Sequence, residues 1–359
     1  MSAVAAPVSR ARGALLGLAV GDAVGFPSLY HRGIRAGGRR AWSMGVTADE
    51  QRVTRFGTPF SMRGGFAPWA PTDDAEAAAV GALLVLGLGD DDRGPAARWA
   101  ALMSQEAWGS VAERGALANL ANGLVPPASG TDNPHAEDDS AVPRVVPAGI
   151  RHAGDPDAAA ALAVVLAEVT NGRDGVWAAS AVAAAVAVAV GGGGMSEAVA
   201  AGAARMEPDS WIRRNLDRAR VVVARHQDLP TALPELVEEV APATYSHGSI
   251  APETVPLAFV IAEACEGDVL GAVTLAAAVH RQADSMPAIV GALVGAVAGA
   301  EAIPTTWRER VDELAGTCVP AVGGQRLTEL ADRLAASWPA VPDGGGAAAL
   351  APAHVASDS

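Results

Sequence analysis

The residues best suited to chemistry stand together in Ala70-Pro71-Thr72-Asp73-Asp74-Ala75-Glu76. Successive helical side chains diverge by about 100°, so a hydroxyl and two carboxylates in a row cannot share one helical face. They converge instead at a helix start. There Thr72 suits the N-cap, Glu76 adds acid to the first turn, and the run from Ala75 to Leu88 supplies an apolar helix body. Oxygen donors gathered at one point suit a hard cation such as Mg²⁺. The same residues also make an ordinary acidic helix cap, and the triplet alone leaves both readings open.

A second acidic helix start lies far downstream, in His280-Arg281-Gln282-Ala283-Asp284-Ser285-Met286-Pro287. Pro287 fits only a first helical turn, so Asp284 or Ser285 is the cap. The helix that follows, 285–302, carries Gly291, Gly295 and Gly299 at every fourth residue, and the N-terminal helix, 9–24, repeats the device with Gly13, Gly17, Gly21 and Gly25. Each interior glycine costs about 1 kcal/mol of helix propensity against alanine, so a gain from close backbone approach must offset it. The two glycine-faced helices are therefore expected to pack at the centre, each beside an acidic segment.

Between them the pattern is helical almost throughout. Helices are expected at 75–88, through 95–122, and at 155–169, 175–190, 195–205, 208–226, 233–240, 253–264 and 267–279, with two more within 310–337. Residues 26–70, rich in Arg, Gly and Pro, read as a long loop. A second loop, 131–140, holds His135 and four acids and leads into the apolar, proline-containing segment around Arg144. That arginine suits either a carboxylate pair or a phosphate. No run alternates with period two over enough residues to make a strand, and no solenoid repeat is present. The fold class is all-α, a compact bundle of about a dozen helices forming one domain over 1–338, with 339–359 a disordered tail.

Composition narrows the function classes. The chain has 359 residues, half of them hydrophobic, and a formal charge of −14. Without a basic run it is not built to hold a nucleic-acid backbone. Cys265 and Cys318 are too few for a disulfide framework or a zinc cluster. No secretory leader or membrane span is read, and a cytoplasmic location is expected.

The segment Gly13-Ala14-Leu15-Leu16-Gly17-Leu18-Ala19-Val20-Gly21-Asp22-Ala23-Val24-Gly25, the Thr72-Asp73-Asp74 triplet, and Ala283-Asp284-Ser285 before Ile289-Val290-Gly291-Ala292 resemble, in order and spacing, the ADP-ribosylglycohydrolase family. The resemblance implies an all-α enzyme that uses Mg²⁺ or Mn²⁺ to hydrolyse the bond at the anomeric carbon of ADP-ribose. It implies metal ligation by Thr72, Asp73, Asp74, Asp284 and Ser285, with Asp73 or Asp74 as catalytic carboxylate. It places Arg144, His247, Gly248, Glu253 and Asp139 along the substrate, which would be an ADP-ribose-containing molecule, another riboside, or an ADP-ribosylated protein.

Gln282 stands where the family carries an Asp, Leu29 where it carries a Glu, and Asn171 where it carries a His. The two lost carboxylates belong to one metal of a pair, so one ion is expected to be held better than a second. Glu137, Asp138 or Asp139 could restore a carboxylate by entering the site. The alternative function is a nucleotide-binding protein that keeps the fold without turnover.

Overall fold

Sixteen α-helices and two 3₁₀ turns make up the regular structure of the described residues, and no strand occurs among them. The structure is a computed structural model. It describes residues 5–29, 70–88, 94–103, 106–242, 249–279 and 285–338, the side chains of 26–29 excepted. In chain order the helices are α1 (Pro7–Leu29), α2 (Asp73–Leu86), α3 (Pro95–Leu102), α4 (Val111–Ala121), α5 (Ala128–Thr131) and α6 (Ala141–Arg151). There follow α7 (Pro156–Ala167), α8 (Asp174–Val190), α9 (Met195–Ala203), α10 (Trp211–Arg225) and α11 (Leu229–Val240). The last five are α12 (Ala251–Ala264), α13 (Val269–Ala277), α14 (Ser285–Ala298), α15 (Thr305–Val311) and α16 (Leu327–Ala335).

The glycine ladders account for the centre of the molecule. A Cβ built at Gly13 would overlap the carbonyl oxygen of Gly295, one at Gly17 that of Gly291, and one at Gly21 that of Pro287. The clash is reciprocal at Gly291 and Gly295. Helices α1 and α14 therefore touch backbone to backbone, which brings many atoms into dispersion contact and offsets the propensity lost at each glycine. Because the obstructing atoms are backbone, no rotamer change can admit a side chain. Gly17→Leu is expected to cost at least about 3 kcal/mol in chemical denaturation, the upper end of overpacking effects. A variant as stable as the parent would show that the crossing is looser than the structure has it.

Around this pair, α8 packs against α6, α7 and α9, while α6 also lies on α2. Gly81 of α2 makes the second close approach, with its missing Cβ facing the Arg144 carbonyl of α6. Every residue of α6 from Ala141 to Ile150 is buried, although the helix holds Pro143 and Pro147. Pro143 lies in the first turn, where its missing N–H is no loss, and Pro147 gives up one intrahelical bond that complete burial of the surrounding apolar side chains offsets.

Three sequence expectations change. The periodic run 95–122 is two helices, α3 and α4, and α1 extends to Leu29. Only α16 and a 3₁₀ turn (Pro320–Val322) occupy 310–337 apart from the end of α15. The expected loop beyond residue 29 and the expected tail beyond 338 lie outside the described residues. None of the described helices is long and apolar enough to cross a membrane.

Candidate active site

Helix α2 begins at Asp73, and its N-cap residue is Thr72, but the Thr72 side chain does not cap it. The cap comes from Asp22 on α1. Its Oδ2 accepts the Thr72 N–H at 2.6 Å and the Ala75 N–H at 3.0 Å, and its Oδ1 accepts the Thr72 hydroxyl. This carboxylate satisfies two of the helix's orphan donors from another element and ties the start of α2 to the glycine-packed centre. Burial and the neighbouring Asp73 push the Asp22 carboxyl up to about 7.

Glu76 performs a second tethering task. Fully buried, it accepts backbone N–H groups from Thr317 and Cys318, each at 2.9 Å, and from Val319 at 2.6 Å. The Cys318 carbonyl in turn accepts the Trp108 N–H at 2.6 Å. One carboxylate thus fixes the 317–319 segment and, through it, the residue that opens α4's approach. Glu76→Ala leaves the buried N–H groups of Cys318 and Val319 without an acceptor, at about 1–3 kcal/mol each, and loses the half-buried bond to Thr317 as well. Its thermal unfolding temperature is expected to fall by about 10 °C; a fall under about 2 °C would mean that water replaces the carboxylate.

With α2 held in this way, Asp73 and Asp74 line a cavity together with Asp138, Asp139, Ser140, Ser249 and Ser285. Ser285, which opens α14, thus shares this lining with the first turn of α2, and its hydroxyl donates to Asp139 Oδ1 at 3.2 Å. Thr254 of α12 donates to Asp139 Oδ2 at 2.7 Å. Burial outweighs these bonds and pushes the Asp139 carboxyl up to about 7. Burial likewise raises the Asp73 carboxyl, which accepts the Thr72 hydroxyl at 3.0 Å.

The acidic loop before α6 supplies the carboxylates that sequence left conditional. Asp138 is held by the Ser140 N–H at 3.1 Å, the Ser140 hydroxyl at 2.6 Å and the Asn171 amide at 2.9 Å. Asn171, the residue at the family's His position, also donates to the Asp138 carbonyl at 3.0 Å. It orients Asp138 rather than facing a ligand. Asp138 shares a second, polar cavity with Asn133, His135, Glu137 and Arg173, so the two cavities adjoin.

The remaining expected residues divide sharply. Arg144 lines the first cavity yet is 1 % exposed, with Nη1 donating to Glu113 at 3.1 Å, Nη2 donating to Thr170, and the guanidinium stacked 5.4 Å from the Trp99 ring centre. With a further Nη2 contact to the Leu166 carbonyl, three hydrogen bonds tie the guanidinium to the chain's own framework, which favours the scaffold role over a phosphate. Burial raises the Glu113 carboxyl, opposed by the Arg144 charge. Glu253 is fully buried in the first turn of α12 and is not on the lining of this cavity, which corrects its placement along the substrate. Thr72 is buried and off the lining as well, its hydroxyl turned to Asp22. His247, Gly248, Gln282 and Asp284 lie outside the described residues, as does the Leu29 side chain. Ser249, next to Gly248, does reach the cavity.

Sequence reasoning gave no role to Asp22 or Glu113. Asp22 and Glu113 had a readable signal, a lone acid within an apolar helical stretch, which is costly to bury unless it has a task.

A divalent cation fits this donor set. The lining offers four aspartates and serine hydroxyls, all oxygen, as Mg²⁺ and Mn²⁺ require, and burial holds the Asp73 and Asp139 carboxyls above their ordinary range, which a cation beside them would reverse. Among the described residues no three His, Cys, Asp or Glu side chains already converge on one point, so a bound ion would draw them together.

A family model for ADP-ribosylglycohydrolase matches residues 3–343. A solved structure titled "ADP-ribosylglycohydrolase-related protein complex" superposes with a TM-score of 0.59 at 22% identity, covering 92% of this chain and 98% of that one, which is a likeness of fold. No curated protein matches the chain. The family match runs over nearly the whole length: the chain belongs to the ADP-ribosylglycohydrolase family.

Proposed function

We propose that the protein is a divalent-cation-dependent hydrolase acting at the anomeric carbon of ADP-ribose or a related riboside. The observation that carries this reading is the shared cavity of Asp73, Asp74, Asp139 and Ser285, which come from three separate helical starts. With Asp284, these residues would hold Mg²⁺ or Mn²⁺. Such an ion supplies charge that holds ribose hydroxyls and lowers the pKa of water.

The chain's own groups perform the rest. Asp73 or Asp74 accepts a proton from the attacking water, whose oxygen bonds to C1′ as the bond from C1′ to the leaving group breaks. That proton passes to the leaving group, and the carboxylates stabilise the positive charge that develops on the ribose ring. Asp139, gripped by Thr254 and Ser285, ties the start of α6 to α12 and to the start of α14. The adjoining cavity, with Arg173 at its edge, suits the diphosphate and nucleoside portion. Arg173 stands 3.5 Å from Glu137 and is 79% exposed, so its charge is accessible to a phosphate.

A nucleotide-binding protein without turnover is the second reading, favoured by Gln282 and Leu29 standing where relatives carry carboxylates. A hydrolysis screen over ADP-ribosylated proteins, O-acetyl-ADP-ribose and simple nucleosides, with Mg²⁺ present, tests the two. Release of the aglycone from at least one class supports the hydrolase. ADP-ribose binding without any release supports the binding protein.

A further inference from the structure

The carboxylates account for one part of the cavity lining, and the rest has a different character. Trp99, Met103, Trp108, Val80 and Val319 form an apolar surface on it. Trp99 is fully buried, whereas Trp108 is 51% exposed, a large aromatic face left in water although its own backbone is anchored to Cys318. An anchored, half-exposed tryptophan at the edge of a polar site is suited to stacking on a flat ligand.

The polar atoms of this wall narrow the ligand further. Glu113 also lines the cavity, but its Oε1 accepts Arg144, its Oε2 accepts the Ser110 N–H at 3.0 Å, and its charge is balanced by that arginine. The Arg144 Nε–H and the Trp99 indole N–H are both buried without any hydrogen-bond partner. Unpaired buried donors are costly, so the wall has two donors to offer, and Glu113, the acid on this side of the cavity, is committed to Arg144 and Ser110. A guanidinium could stack on Trp108, but it brings five donors and no acceptor, and it would stand against the Arg144 charge.

We propose that this wall is the leaving-group subsite and that it takes a flat, uncharged aglycone bearing a hydrogen-bond acceptor, such as a carbonyl-carrying heteroaromatic base, in preference to an arginine side chain. This rests on the hydrolase reading above. Hydrolysis then breaks the bond from C1′ to the base nitrogen, the water oxygen bonds to C1′, and the water proton ends on the departing base.

Calorimetry on the full chain in Mg²⁺ tests it with nicotinamide as the flat neutral probe and ethylguanidine as the cationic one. The parent should bind nicotinamide at least tenfold more tightly than ethylguanidine. Trp99→Phe, which keeps the ring plane and removes the N–H, should reduce that preference about fivefold, the worth of one hydrogen bond. Trp108→Ala, an exposed position where folding is not at stake, should weaken nicotinamide about tenfold. Equal affinity for the two probes, or a preference that neither variant changes, overturns the assignment. ADP-ribose, whose terminal ribose carries a hydroxyl and no base at its anomeric carbon, is titrated in parallel. If it binds the parent while the preference is missing, the leaving-group assignment alone fails; if neither it nor any substrate of the hydrolysis screen binds, the hydrolase reading fails and takes this inference with it.

Discussion

Asp74→Asn is expected to lower the rate of the proposed riboside hydrolysis by about a thousandfold, within the range for loss of a general base, and to raise the stability of the metal-free protein. The two effects share one cause. Asp74 is 5% exposed and lines a cavity with Asp73, Asp138 and Asp139, and the four carboxylates repel one another where solvent screens them poorly. An amide has the same shape, so the first turn of α2 persists, but it can neither accept a proton from water nor hold a cation well. Steady-state kcat/KM and thermal unfolding in chelator, measured on one preparation, check both halves. Activity within tenfold of the parent would remove Asp74 from the chemistry, and a lower melting temperature would show that its charge is compensated by the chain.

The second large effect is on pH and metal together. Burial raises the Asp22, Asp139 and Glu113 carboxyls to about 7 and raises Asp73 in the same direction, against unfolded values near 4. The folded chain thus binds more protons than the unfolded chain between about pH 4 and pH 7. The contribution of these groups is fully present below the unfolded value and is lost as pH rises through 7. Metal-free protein should therefore melt higher at pH 5.5 than at pH 8. A cation binds the ionised carboxylates, so saturating Mg²⁺ should raise the melting temperature at pH 8 by roughly 5 °C and have little effect at pH 5.5, where protons compete. A flat metal-free profile, or an Mg²⁺ effect equal at both pH values, would contradict this.

Particular residues show how far the sequence could be read. The spacing of Gly13, Gly17 and Gly21 against Gly291 and Gly295 announced the central crossing, because a glycine inside a helix is costly unless a backbone lies against it. Asp73, Asp74 and Ser285 were legible as helix starts for a similar local reason. What escaped depends on long-range contact. Thr72 looked like a cap, yet Asp22, fifty residues earlier, reaches the same N–H groups with a full charge. Arg144 suited a phosphate until Glu113 and Thr170 arrived beside it from other helices. The prolines of α6 hid a helix whose stability comes from burial rather than propensity. Glu253 looked accessible because it opens a helix after a break in the pattern, and burial of that turn could not be read from its neighbours.

Mg²⁺ titration of the metal-stripped chain by calorimetry at pH 8, run on the parent and on Asp139→Asn, tests the cation site most directly. Saturable binding near one ion per chain, weakened at least tenfold in Asp139→Asn, is the expected result. No saturable binding in the parent, or equal affinity in the two proteins, would contradict the assignment of this carboxylate-lined cavity as the metal-dependent active site.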